Sequence, residues 1–184
     1  MSEIALLQAA SPDRIAALIG HGASSNLVTR LLRSTRLRAR LAEVVSARLG
    51  LVGSMTPVQA AILDLSEVGL STLARRAGAI WHGRAIARVI DASDRRTLVA
   101  TLGTDLYGQA LRGIALSPEL PGDVQGPEAL DVAIAADGAA CLEAWRLAQP
   151  PGVALRVGLL RATVLVEALH RERGPSIVAW LVQA

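Results

Sequence analysis

An all-α fold, an irregular bundle of about eight helices with no sheet, is what this sequence predicts. Three observations predict it. Ala and Leu dominate, while Val, Ile and Thr do not gather into alternating runs, and this pattern favours helices over strands. Helix start and stop signals recur along the whole chain. Aromatic residues are scarce, with only Trp81, Trp145, Trp180 and Tyr107 and no Phe, so Leu, Val, Ile and Ala must fill the core. Hydrophobic residues make up 52% and charged residues 19% of the 184 positions, a balance that excludes a disordered chain. The length suits one domain over 1–184, since domains run to about 100–200 residues.

The elements follow in order. Ser11-Pro12-Asp13 is a helix start, with a Ser cap, Pro at the first position and an acid near the positive end. That helix runs to about Gly20, and Gly20-His21-Gly22-Ala23-Ser24-Ser25-Asn26 is a turn. Leu27 to Leu49 reads as helix with a break near Ser34-Thr35, and Gly50 to Ser54 as loop. Thr56-Pro57-Val58-Gln59 is a second start, with Gln59 placed to complete a capping box, and its helix ends near Gly69. Ser71 to Asp91 is the next helix. Ser93-Asp94 opens another, running to Gly103, and Thr104-Asp105 a short one ending near Gly113. Leu116 to Gly126 holds Pro118, Pro121, Gly122 and Gly126 and is a loop. Pro127-Glu128 opens a helix to about Ala148. After Pro150-Pro151-Gly152 comes a helix with Leu155, Leu159, Ala162, Val166 and Leu169 at helical spacing, reinforced by Glu167 and Arg171 at i,i+4. Gly174-Pro175 should stop it, leaving Ser176 to Val182 as a short terminal helix with Trp180.

Composition removes several chemistries. All 19 basic residues are Arg and none is Lys. A Walker-type phosphate loop, a Schiff base and a Ser-Lys pair each need the missing amine. Cys141 is the only cysteine, so neither an intrachain disulfide nor a Cys-pair metal site can form. The first residues carry no basic n-region and no long apolar stretch, and no signal peptide is read there. The longest charge-free stretches, Ile15–Thr29 and Leu49–Leu63, are about 15 residues each, short of the roughly 18 a membrane span needs. The expectation is a soluble protein whose apolar excess forms core or interface.

Net charge is +3. Arg30, Arg33, Arg36, Arg38 and Arg40 form the one local basic run. On a single continuous helix they scatter around the axis, so a solvated face is the first reading and contact with an acidic partner the second. With almost no aromatics among the arginines, a base-stacking nucleic-acid platform is not supported. His21, His82 and His170 are the only histidines. Glu167-x-x-His170 has the spacing of a metal pair on a helix, but di-iron bundles need a second copy and more acids. His170 is instead expected as a helix-end cation on a C-terminal dipole. Gly20-His21-Gly22 lacks the preceding strand and the nucleophile elbow of an esterase.

Within Ser71–Asp91 a Trp81-His82-Gly83 step interrupts an Ala-, Ile- and Arg-rich helix. On a helical wheel Ala74, Ala77, Trp81, Ala85 and Arg88 cluster, with Gly78 nearby. Small residues there let a neighbouring helix approach while Trp81 fills the gap, a burial worth about 2–3 kcal/mol. Gly83 costs about 1 kcal/mol in a helix interior, which a close crossing must offset. His82 is expected as a core or boundary residue with one hydrogen-bonded nitrogen. The competing reading is a helical regulatory or small-molecule-binding domain with a pocket beside Trp81 and His82.

The segment Leu73 to Arg88 resembles the signature of the SctK/YscK proteins of bacterial type III secretion. That family carries an Arg-x-Gly, a His-Gly and an Ala-Ile-x-Arg at the offsets found here in Arg76–Gly78, His82-Gly83 and Ala85-Ile86-Ala87-Arg88. The likeness continues through Ala92-Ser93, with Asp94 where the family often has Pro, and through Leu98, Val99 and Leu102 to Leu106–Leu111. It is weaker over Gly138–Trp145 and the helix after Pro151. It covers about half the chain, 71–165, and not the first 65 residues. The resemblance implies a non-enzymatic cytoplasmic adaptor of the secretion sorting platform, held at the inner membrane through its partners. It would link the cytoplasmic domain of the ring protein SctD to the pod protein SctQ, with the stalk SctL and the ATPase SctN beneath. It implies no cofactor and no membrane span.

Overall fold

Side-chain caps open four helices in the computed structural model, which describes residues 3–20, 22–50, 54–120 and 126–184, while Ser11 occupies the N-cap position of its helix without a side-chain cap bond. In chain order the helices are α1 (Glu3–Ala9), α2 (Pro12–Ile19), α3 (Ser25–Arg33), α4 (Thr35–Leu49), α5 (Pro57–Leu63), α6 (Glu67–Trp81), α7 (Gly83–Ala87), α8 (Ala92–Leu102), α9 (Thr104–Arg112), α10 (Pro127–Leu147), α11 (Pro151–Leu160) and α12 (Ala168–Gln183), with a 3-10 turn at Ile114–Leu116 after α9. The described residues contain no strand. The expected turn residue His21, part of the loop before Ser54 and the end of the Pro-rich loop lie outside the described residues.

Local chemistry explains the starts. Pro12 opens α2, and Gly20, at φ 98°, closes it. Ser34 ends α3 and begins α4, its hydroxyl accepting from the Leu37 N–H at 3.5 Å. Thr56 and Gln59 form the capping box reciprocally, at 3.2 and 2.8 Å. Asp91 rather than Ser93 starts α8, accepting from Ser93 N–H and Asp94 N–H at 2.7 and 3.1 Å.

The helix count is twelve among the described residues rather than about eight: α1, the break at Ser34 and a division at His82 add elements, and other boundaries move. Asp64-Leu65-Ser66 separates α5 from α6, where Asp and Ser compete for backbone hydrogen bonds. Ser71–Asp91 is divided at His82. The long helix expected after Pro151 ends at Leu160, and Gly174-Pro175 does not stop α12 but lies inside it. Pro175 gives up one backbone bond at a cost of about 3 kcal/mol. Gly174 sits against α10, where a Cβ would lie 2.9 Å from the Cα of Cys141. Tertiary packing there outweighs the local stop signal.

The helices group into two units. The first comprises α1–α5 and α11. Here α2, α3 and α4 pack on one another, α1 lies on α4, and α11 covers parts of α1, α2, α4 and α5. Leu7, Ile15, Val28, Val45, Ile62 and Val153 are its buried centre. The second comprises α6–α10 and α12. Ala79, Ile86, Leu98, Leu102, Ala110, Leu130 and Ile134 form one cluster in it, edged by Val89, Leu106, Tyr107 and Leu111. Its tightest contact is between backbones. A Cβ at Gly78 on α6 would run into the carbonyl of Ile134 on α10, and one at Gly138 into the carbonyl of Ala74. Two glycines, each one turn from the residue that the other glycine faces, let the two helices meet without side chains between them.

Candidate functional site

The site is built where α6 stops. His82 takes φ −92° and ψ 12°, which ends the regular helix and restarts it one residue later. Two bonds bridge the step, His82 N–H to Gly78 O at 3.0 Å and Ile86 N–H to His82 O at 2.9 Å. Ser117, in the segment after the 3-10 turn, closes the remainder. Its buried hydroxyl donates to Trp81 O at 2.7 Å and accepts from Arg84 N–H at 3.2 Å. Gly83 then passes against α9, where a Cβ would lie 2.8 Å from Ala110 O. The close approach that Gly83 requires is therefore to α9, whereas that of Gly78 is to α10.

The break aims His82 at α10. Its Nε2 lies 2.6 Å from Oδ2 of Asp137, and the other carboxylate oxygen, Oδ1, lies 3.2 Å from Nε2 of His170 on α12. The Trp81 ring stacks on His170, with centroids 4.3 Å apart and planes within 9°. Trp81 and both imidazoles are buried, while the Asp137 side chain keeps 28% of its surface. One carboxylate thus ties the α6–α7 junction and α12 to α10.

Hydrogen-bond direction fixes the tautomers. A carboxylate only accepts, so both Nε2 atoms carry the proton. Each Nδ1 is buried without a partner among the described residues. Burial by itself would raise the Asp137 carboxyl. The hydrogen bond from His82 and the electrostatic effect of both imidazoles outweigh that and lower it below its ordinary value.

A carboxylate holding an imidazole is the orienting half of a nucleophilic triad, but the remaining parts point elsewhere. Both Nε2–H groups are spent on Asp137, and both Nδ1 lone pairs are enclosed. Cys141, one turn along α10, has its thiol pushed well up, first by burial and then by the Asp137 charge, which makes it a poor nucleophile. No group of three or more His, Cys, Asp or Glu among the described residues is arranged to hold a metal ion. What the geometry does is join three helices through a shared carboxylate.

The predicted residues divide between this node and the surface. Gly78, Trp81, His82, Gly83 and Ile86 are interior, Ala85 is half-buried, and Arg76 and Arg88 are exposed. The break rotates Ala85 and Arg88 away from Trp81. They line an open cleft of about 330 Å³ with Val89, Ile90, Leu98 and Leu130. Trp81 and His82 border neither this cleft nor the second, about 360 Å³, beside Arg75, Arg76 and Gly103. Two arginines within the signature segment make ion pairs, Arg75 with Asp131 at 2.5 Å and Arg84 with Glu119 at 2.7 Å. His170 is not at a helix C-terminus. It is the third residue of α12, turned inward, with Glu167 as the N-cap.

Among the basic run, Arg30, Arg33, Arg36 and Arg40 are exposed, and Arg40 pairs with Glu43. Arg38 is half-buried and donates to Leu32 O at 2.9 Å, bracing the α3–α4 corner. Sequence reasoning missed Asp137 and Ser117. Asp137 had a signal, being the only charged residue between Asp131 and Glu143, in a run of Ala, Ile, Gly and Cys. An acid on such a helix has to be paired when it goes inside.

No family model and no solved structure matches the chain. Two relatives do. Nodulation protein NolU of Sinorhizobium fredii (strain NBRC 101917 / NGR234) is 31% identical over 162 residues, covering 82% of this chain and 69% of the relative. Nodulation protein NolU of Rhizobium fredii is 32% identical over 151 residues, covering 76% of this chain and 64% of the relative. Similarity of that extent, running across both helical units, places the chain in the nodulation protein NolU family.

Proposed function

We propose that the protein is a non-enzymatic adaptor of a bacterial type III secretion sorting platform, of the SctK/YscK kind, joining the cytoplasmic domain of SctD to SctQ and so to SctL and the ATPase. In this reading the nodulation role named for its relatives is exercised through secretion. The observation that supports it is where the signature residues go. Gly78, Trp81, His82, Gly83 and Ile86 are consumed in helix crossings and a closed polar tie, so they specify a shape rather than a reaction. A protein whose most distinctive residues face inward acts through its outer surface, and arginines are favoured in such contacts. No helix among the described residues is long and apolar enough to cross a membrane, so a place at the inner membrane would come from partners or surface attachment.

Co-purification of the tagged chain with SctQ and with the SctD cytoplasmic domain, paired with a secretion assay in a deletion strain, tests this. The expected result is a stable complex and loss of secretion on deletion. Normal secretion together with no complex would overturn it.

A further inference from the structure

The arginine-rich outer face of α3 and α4 is not explained by packing. Between Ser25 and Leu49 the chain has six arginines and one acid, Glu43. The break at Ser34 resets the helical phase, so the arginines of α3 and of α4 are placed by two separate helices. On α3, Arg30 and Arg33 lie within about 60° of each other, and both are exposed, while Val28 is buried. On α4, Arg36, Leu37, Arg40, Val44 and Arg48 fall within about 120° of arc. All five are exposed, and the buried Leu41, Ala42, Val45 and Leu49 occupy the other side. Among the described residues no hydrogen bond or ion pair engages the side chains of Arg30, Arg33, Arg36 or Arg48. Only Arg40 has an acidic partner, and Arg38 serves the corner.

We propose that this face docks on an anionic lipid surface. The argument is charge and chemistry. Guanidinium forks match phosphate oxygens in pairs. A cluster of four or more arginines on an amphipathic helix is the pattern that binds acidic headgroups. Leu37 (46% exposed) and Val44 (36%) stand among these arginines, placed to enter the headgroup layer while the guanidiniums stay with the phosphates. Nucleic acid fits less well, because the segment offers no aromatic ring for a base. The proposal rests on α3 and α4 alone and does not depend on the adaptor reading.

The test is co-sedimentation of the full chain with vesicles of phosphatidylcholine alone and of phosphatidylcholine with 30% phosphatidylglycerol. The expected result is partitioning to the anionic vesicles only, weakening steeply with salt. Each arginine near the surface is worth about fivefold. The triple variant Arg33→Glu, Arg36→Glu, Arg48→Glu should therefore lose at least about a hundredfold while keeping its helical circular dichroism. Leu37→Ser should lose a few-fold at every salt concentration. The proposal is overturned by equal binding to both vesicle types, by no binding at low salt, or by a folded triple variant that binds as well as the parent. Capture by poly-glutamate as strong as by the anionic vesicles would also overturn it, assigning the face to acidic polypeptide instead.

Discussion

The two helical units use the same few residue types for different purposes. The first, 1–68 with 148–163, has nine arginines against five acids, whereas the second has ten against eleven. In the first, Arg30, Arg33, Arg36 and Arg48 are exposed, and polar bonds such as Arg14 to Leu159 O at 3.2 Å and Gln59 to Gln149 at 2.9 Å link distant segments. In the second, charge is spent internally. Asp137 ties two histidines, Arg75 pairs with Asp131, and buried Glu143 holds Arg146 through two bonds of 2.7 and 2.6 Å. Its helices also meet backbone to backbone at glycines. An apolar core with caps tolerates a variable charged exterior. A core assembled from glycine contacts and a shared carboxylate restricts which residues can occupy it.

Substitutions should separate the two regimes. Gly78→Leu should have the largest effect, because backbone atoms of α10 occupy the space its side chain needs. We expect loss of more than about 4 kcal/mol and collapse of the second unit, read by urea denaturation. Trp81→Ala follows, at about 3–5 kcal/mol, since it removes both the buried ring and the stack on His170. A cooperative, near-native transition in that variant would move Trp81 from core to interface. Asp137→Ala should cost about 2 kcal/mol, discounted because the carboxylate is partly exposed.

The same carboxylate sets a pH dependence. Its folded pKa is depressed from 3.8, so its contribution is present above that value and lost as pH falls through the lower folded value. The stability gap between the parent and Asp137→Asn should narrow below pH 3.8 and hold above it, measured by denaturation at a series of pH values. At the small end, Arg30→Glu with Arg33→Glu should shift stability by no more than about 0.5 kcal/mol. A larger loss would show that the first unit also relies on its arginines for structure.

Much of the fold could be read from the chain because its signals are local. The Thr56–Gln59 capping box, Pro at the start of α2, α10 and α11, and the Ser34 break are contacts within four residues. Where sequence reasoning failed, a distant partner decided. Gly174-Pro175 reads as a stop until Cys141 is seen against Gly174. His170 reads as a helix-end cation until Asp137, 33 residues away, is beside it. The Trp-His-Gly step could be recognised as a wedge. The break that makes it one depends on Ser117, 36 residues downstream of Trp81, and nothing near Trp81 announces it.

The central claim is that the histidines of this step and of α12 are fixed, inward-facing donors to a single carboxylate. Long-range proton–nitrogen NMR of the imidazoles at neutral pH tests it most directly. The account predicts that His82 and His170 both carry the proton on Nε2 and exchange it slowly. An Nδ1–H tautomer at either ring, or exchange as fast as in free histidine, would contradict it.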